Sequence, residues 1–289
     1  MIEAEAAAIR PRLFGLAYRM LGTRADADDV VQDTFVRWQS ADREMIRDPL
    51  AWLVTTTTRA AIDRLRVLQR ERQRYDGPWL PEPIVSDASA DPERHAEIME
   101  DLSVAFLLVL ERLAPDERAA FVLHDVFGYH HAEIAAILDR SEDAVRQMVH
   151  RARRRVRADR PRFTVDRAAA AALVERFVHA MEARDEAELR AILAEDVTHL
   201  ADGGGAAAAT RQAVVGRDKV VRLLLGVRTK YWEGATLEPA EVGGAPGLLV
   251  REGGVTRVVI AIAGDGTAIE SLNVIVAPEK VARIVRSSR

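Results

Sequence analysis

The sequence predicts a multidomain chain in which two all-α domains precede an α+β domain. Apolar residues recur at helical spacing through roughly the first half of the chain, and a stretch holding four prolines interrupts them at 76–93. After Arg162 two more helices give way to short apolar runs separated by glycine-rich turns, the pattern of an antiparallel sheet. The expected boundaries are a first domain at 1–75, a linker at 76–93, a second domain at 94–162 and a third at 163–289.

In the first domain Leu13, Leu16, Ala17, Met20 and Leu21 form one amphipathic stripe. A second helix is expected from Ala27 to Gln39, with Val30, Val31, Thr34, Phe35 and Trp38 turned inward. Asp29, Gln32, Asp33 and Val36 share its other face, an acidic surface. A third helix runs from about Pro49 to Arg72, with proline in the first turn, where a missing amide hydrogen does no harm. Trp52 and Leu53 read as core. Its second half sets Arg59, Arg64, Arg66, Arg70, Arg72 and Arg74 against only Asp63 and Glu71, which makes a basic surface.

In the second domain, Ala132, Ile134, Ala135, Ile137 and Leu138 mark a short helix, Asp139 and Arg140 a turn, and Ser141 an N-cap for a longer helix starting near Glu142. Val145, Met148, Val149, Ala152 and Val156 recur as its apolar stripe, while Arg146, Gln147, His150, Arg151, Arg153, Arg154, Arg155 and Arg157 fill the remaining arc. Helix, tight turn and arginine-rich helix make a helix-turn-helix that presents its second helix to duplex DNA. A solvated charged face on an ordinary bundle helix is the bland alternative; six arginines on that arc with no compensating acid argue against it. Asp139 tolerates a left-handed turn better than most residues.

The third domain opens with a helix from Asp166 to about Ala183 and another begun by Asp185, with Glu188 at capping-box spacing. Val197 to Leu200 suggests a strand, Asp202 to Gly205 a loop, and Gly216 to Val227 a helix. Strands follow at Ala235–Val242, Leu248–Glu252, Val255–Ala263 and Ala268–Val276. His199 and Asp202 lie at a strand end where a pocket could open, so either could serve as a general base, although a lone histidine beside a glycine loop is more often structural. Trp232, Arg251 and Arg257 are open between lining such a pocket and ordinary core or surface.

Composition narrows the function classes. With no cysteine, disulfides, thiolate zinc sites, iron–sulfur clusters and cysteine nucleophiles are excluded. No apolar run reaches the roughly 20 residues of a membrane span, and the first residues lack the pattern of a secretory signal, so a cytoplasmic protein is expected. Because phosphate neutralisation supplies most non-specific DNA affinity, a net charge of -4 predicts that DNA binding here needs a partner.

The helical half resembles an extracytoplasmic-function sigma factor, the promoter-specificity subunit of bacterial RNA polymerase. DDVVQDTFVRW, Asp28 to Trp38, is similar to the family's helix that docks on the coiled coil of the polymerase β′ subunit, which implies Asp29, Gln32, Asp33 and Val36 as core-polymerase contacts. AWLVTTTTRAAIDRLR, Ala51 to Arg66, resembles the reader of the melted minus-10 element, implying Arg59, Asp63, Arg64 and Arg66; Arg59 stands where many members have Asn. The helix-turn-helix corresponds to the minus-35 reader, implying Arg146, Gln147, His150 and Arg151 in the major groove, with Arg153, Arg154 and Arg155 on phosphates. Core polymerase, through β′ and β, and promoter DNA are the partners implied.

WLPEP, Trp79, Leu80, Pro81, Glu82 and Pro83, together with DGGG, Asp202, Gly203, Gly204 and Gly205, resembles the two signatures of sigma factors that carry a fused C-terminal SnoaL-like domain, an α+β cone. A third stretch, Asn-Pro-Asp-Lys-Leu in that family, stands here as Ala277, Pro278, Glu279, Lys280 and Val281. The resemblance implies a regulator built into the chain, with the DGGG loop near the WLPEP linker and Pro278, Glu279 and Lys280 beside them. It further suggests a small-molecule ligand in the cone, no separate anti-sigma factor, and no cofactor, metal or catalytic residue. A stand-alone helix-turn-helix regulator is the first alternative, and a cyclase or isomerase of SnoaL type the second.

Overall fold

The computed structural model describes residues 2–86, 103–159, 166–205 and 209–286. The linker beyond Ser86, the expected opening of the second domain at 94–102 and its end near Arg162 lie outside the described residues. Two compact units result, Met1–Arg74 with Leu107–Asp159, and Tyr75–Phe106 with Arg160–Arg289.

In the first unit α1 (Ile2–Leu21), α2 (Arg24–Ser40) and α3 (Pro49–Arg72) pack on one another. The stripe of Leu13, Leu16, Ala17, Met20 and Leu21 is buried, as are Val30 and Val31 of α2 and Leu53, Val54, Ala61, Ile62, Leu65 and Leu68 of α3. Each such aliphatic side chain contributes about 1.5–3 kcal/mol on burial, an upper value. Threonines enter this core because their hydroxyls find acceptors: Thr34 donates to the Val30 carbonyl at 2.8 Å and Thr57 to Thr34 at 3.2 Å. Asp48 caps α3, accepting the Ala51 amide at 3.0 Å just before Pro49.

The same unit continues from Leu107, within α4 (Val104–Glu111), through α5 (Pro115–Phe121), which runs on into a π-turn at Val122–Val126, then α6 (His131–Leu138) and α7 (Glu142–Asp159). Ser141 accepts the Ala144 amide at 3.2 Å, so α7 starts where its N-cap predicts. Asp139 takes the left-handed conformation, φ 54°, in the turn. Val145, Met148, Val149, Ala152 and Val156 are all buried, and the arginine arc is exposed. Arg118 is fully buried, its charge met by Glu111 and its Nε by the Arg19 carbonyl at 2.8 Å.

The second unit is built on a seven-stranded sheet in the order β1-β4-β5-β6-β7-β2-β3. Its strands are β1 (Val85–Ser86), β2 (Leu193–Asp202), β3 (Val214–Val215), β4 (Thr236–Val242), β5 (Ala245–Glu252), β6 (Val255–Gly264) and β7 (Ile269–Ile275). β4 to β7 form the expected antiparallel meander; β2 lies parallel to β7. Helices α8 (Arg167–Ala183), α9 (Glu186–Ile192) and α10 (Arg217–Lys230) close an apolar core with one face of the sheet, including Phe177, Val197, Leu224, Trp232, Leu248 and Leu272. A short helix, α11 (Pro278–Arg286), follows β7 and packs on β6. The second unit is thus an α+β fold, with helices on one face of a mostly antiparallel sheet.

Several elements differ from the sequence expectation. β2 begins at Leu193, earlier than Val197, because the exposed acids Glu195 and Asp196 hide its pattern; the register with β7 shifts there to accommodate them. The proline-rich segment is not irregular throughout. Beyond Pro83 the chain regains its amide donors, and Val85 and Ser86 pair with Val242 and Glu241 at the sheet edge. The two-residue β3 carries too few residues to show a period, whereas α11 does show one, with Val281 and Ile284 at helical spacing and both buried.

Candidate functional site

Three groups of residues carry the chemistry, and the first is on α2. Asp29, Gln32, Asp33 and Val36 are all exposed, Val36 by 57%, and neither Asp29 nor Asp33 forms an ion pair among the described residues. Asp28, by contrast, pairs with Arg10 at 3.3 Å and Arg24 at 3.7 Å. The helix thus presents an uncompensated acidic strip with an apolar residue at its end.

The second group is basic and lies on α3 and α7. Arg64 donates Nε to Asp26 at 2.7 Å, and Arg66 bridges Asp63 at 3.0 Å and Asp116 at 2.9 Å. Arg59 donates Nε to the Ile137 carbonyl at 2.9 Å, so it caps the end of α6. On α7, Arg146, Gln147, His150 and Arg151 line an open groove of about 410 Å³. Arg146 is held by Glu142 and Asp143 of its own helix. Arg151 and Arg155 both reach Glu117 of α5, at 2.8 and 2.6 Å, and Arg153 grips Asp125 at 2.7 Å. Arg154 is exposed. The spacing of α7 foretold the arc, but not Asp116, Glu117 or Asp125; as acids just after Pro115, the first two read only as complements to a helix dipole.

The third group lies within the second unit and centres on Asp202, which is completely buried. Its Oδ1 accepts from the Tyr75 hydroxyl at 2.6 Å and the Gly204 amide at 3.1 Å. Its Oδ2 accepts from the Leu80 amide at 2.8 Å and from Lys280 Nζ at 2.6 Å. Lys280 also donates to the Leu80 carbonyl at 2.6 Å and sits over the rings of Trp79, at 4.4 Å, and Tyr75, at 5.3 Å. A buried ammonium thus gains a carboxylate, a carbonyl and two aromatic faces. Burial and the neighbouring Asp202 carboxylate together push the Tyr75 phenol above its ordinary range.

The backbone of the loop explains its glycines. Gly204 has φ 64°, and a Cβ there would meet the Ala277 methyl at 3.1 Å and the Tyr75 hydroxyl at 3.4 Å. Gly203 is buried and Gly205 exposed. Leu80, Pro81, Glu82 and Pro83 are buried, Trp79 half-buried; Glu82 pairs with Arg283 of α11 at 3.0 Å. Pro278 and Glu279, at the start of α11, are exposed. Tyr75 and Arg283 were not among the residues the sequence singled out, since each becomes meaningful only through a contact distant along the chain.

Asp202, with both oxygens doubly engaged, is not placed as a general base. His199 shares the core face of β2 with Val197 and Ala201, and its Nδ1 has no partner among the described residues. Burial holds its pKa down at about 4, so the ring is neutral at pH 7. Trp232 belongs to the apolar core, while Arg251 pairs with Glu238 at 2.8 Å and Arg257 with Glu252 at 3.3 Å. Among the described residues no helix is long and apolar enough to cross a membrane.

Comparison with known proteins accounts for both units. The families Sigma-70 region 2 and Sigma-70, region 4 match residues 6–71 and 103–156. The ECF RNA polymerase sigma factor SigJ of Mycobacterium tuberculosis is 43% identical over 236 residues, covering 81% of this chain and 75% of that protein. The probable ECF RNA polymerase sigma factor SigI of the same species is 30% identical over 281 residues, 96% of this chain and 93% of that protein. The crystal structure of SigJ superposes with a TM-score of 0.79 at 36% identity, covering 98% of each chain, so its likeness extends through the C-terminal cone. With both sigma-70 regions in order and relatives matched along most of their length, the chain belongs to the extracytoplasmic-function family of RNA polymerase sigma factors, alternative subunits that bind core polymerase and promoter DNA to direct transcription initiation.

Proposed function

We propose that this sigma factor is modulated in cis by its SnoaL-like unit, and that the Asp202 junction is the point of control. The observation that carries this reading is the buried carboxylate that gathers Tyr75 and Leu80 from one distant stretch of sequence and Lys280 from another. Tyr75 stands just beyond α3, the helix whose Ala51 to Arg66 stretch resembles the minus-10 reader, and Leu80 lies in the WLPEP linker. A change in the cone or at α11 therefore bears on the linker through hydrogen bonds rather than through loose chain.

In this reading Asp29, Gln32, Asp33 and Val36 dock on the β′ coiled coil, and contacts to β complete the assembly. Arg59, Asp63, Arg64 and Arg66 meet the minus-10 element; Arg146, Gln147, His150 and Arg151 meet minus-35 bases; and Arg153, Arg154 and Arg155 hold phosphates. Arg59 must first give up the Ile137 carbonyl, which supports a resting state that does not read promoters unaided. The fused unit makes a separate anti-sigma factor unnecessary, a small ligand in the cone would be its input, and the saturated Asp202 argues against catalysis there. Such a protein works in the cytoplasm.

Two measurements on the whole chain test the proposal. Asp29→Ala with Asp33→Ala should weaken binding to core polymerase at least tenfold, on the order of 1.4 kcal/mol. Asp202→Asn should raise transcription per bound holoenzyme several-fold. Unchanged polymerase affinity in the double variant would discard the docking face, and unchanged transcription by Asp202→Asn would discard control through the junction.

A further inference from the structure

The expected minus-35 arginines differ in how they are held. Arg146 is paired with Glu142 and Asp143 on its own helix, both exposed, and such pairs are screened and loose. Arg151 and Arg155 share one carboxylate on a different helix. The Glu117 side chain is 11% exposed, whereas the two arginine side chains are 49% and 51% exposed. The anchor is fixed in the packed scaffold, and the reading ends remain at the surface.

We propose that Glu117 is a positioning residue that presets the reading face of α7. Oε1 takes Nε of Arg151, which leaves the paired terminal nitrogens of that guanidinium directed away from the anchor; Oε2 takes one terminal nitrogen of Arg155. A guanidinium bound through Nε still offers the forked edge that matches the two acceptors of a guanine. The shared carboxylate also cancels one of the two positive charges. The pair therefore contributes less to sequence-independent attraction than two free arginines would, while the fork of Arg151 is held ready for a base. Glu117 thus raises discrimination and lowers non-specific affinity at once. This rests on the assignment of α7 as the minus-35 reader.

The test uses the full-length chain bound to core polymerase and a duplex library randomised across the minus-35 segment. The wild type is first used to select its preferred sequence. Glu117→Gln keeps the shape but removes the charge: discrimination between the selected sequence and its single-base variants should fall about tenfold, within the range one bidentate contact supplies, and the salt dependence of non-specific binding should steepen by about one. Glu117→Asp keeps the charge but shortens the reach, so discrimination should fall with the salt dependence unchanged. A merely structural role predicts specific and non-specific binding falling together with no change in salt dependence, and that result, or wild-type discrimination in Glu117→Asp, would overturn the proposal. Arg151→Ala separates the two assignments: if it too leaves discrimination and salt dependence as in the wild type, the reading role of α7 itself has failed.

Discussion

Asp202 in the second unit and Glu117 in the first are both buried carboxylates that hold cations, but their partners differ in exposure. Lys280 is itself buried, as is the Leu80 amide that donates to the same carboxylate oxygen of Asp202, while Tyr75 is half-buried and Gly204 lies at the surface. The partners of Glu117 are half-exposed arginines. A fully buried carboxylate bonded to a buried ammonium can be released only by disrupting the packing around it, which suits the joint proposed for Asp202. A charge whose partners reach solvent can exchange them for phosphate or base, which suits the mount proposed for Glu117. The chemistry is the same; solvent access divides the roles.

The largest effect is expected at Asp202. Asp202→Ala leaves the Lys280 ammonium buried without its counter-charge, which should cost about 3–5 kcal/mol in denaturant unfolding of the second unit. Adding Lys280→Met should recover about 2 kcal/mol of that loss, because removing both charges leaves no orphan. Additive losses in the double variant would mean that the pair is not the joint described. Next in size is His199. Its pKa, about 4, lies below the ordinary 6.5, so the unfolded chain takes up the proton first as pH falls. Stability is therefore complete above pH 6.5 and is lost progressively down to about pH 4, where the folded form protonates too. At about 1.4 kcal/mol per pH unit that window holds roughly 3 kcal/mol. Unfolding followed from pH 7 to 4 should lose most of this slope in His199→Leu; an unchanged slope would place the acid sensitivity elsewhere.

Glu117→Ala should cost much less than Asp202→Ala, about 1 kcal/mol, since the released arginines are already half in water. A loss as large as that of Asp202→Ala would erase the distinction between joint and mount.

How far these two sites could be read in the sequence follows from the same contrast. The mount sits on α7, whose five apolar residues at helical spacing and Ser141 cap identify both the helix and its exposed arc without any tertiary information. Only the anchor was hidden, because nothing local marks Glu117 as facing arginines 34 and 38 positions later. The joint shows the opposite balance. Asp202 and Tyr75 are separated by 127 positions and belong to no period, so their pairing cannot be derived from spacing; only resemblance to a family brought the DGGG loop, the WLPEP segment and Lys280 together, and it did not include Tyr75. Periodicity reports burial along one element. Hydrogen bonds between elements leave no such trace.

The smallest expected effect is at Asp139, and it marks the first unit alone. A left-handed φ of 54° crowds Cβ against the carbonyl of a non-glycine residue, a strain of about 1 kcal/mol that aspartate partly relieves. Glycine removes the strain but adds freedom to the unfolded chain, so Asp139→Gly should stabilise the first unit by about 0.5 kcal/mol. The side chain is exposed, so little packing is lost. In a denaturant titration that resolves two transitions, the one that Glu117→Ala lowers should rise, and the one that Asp202→Ala lowers should stay fixed. Movement of both together would mean that the two units unfold as one cooperative body, and the costs assigned to joint and mount would then have to be read against a single shared transition.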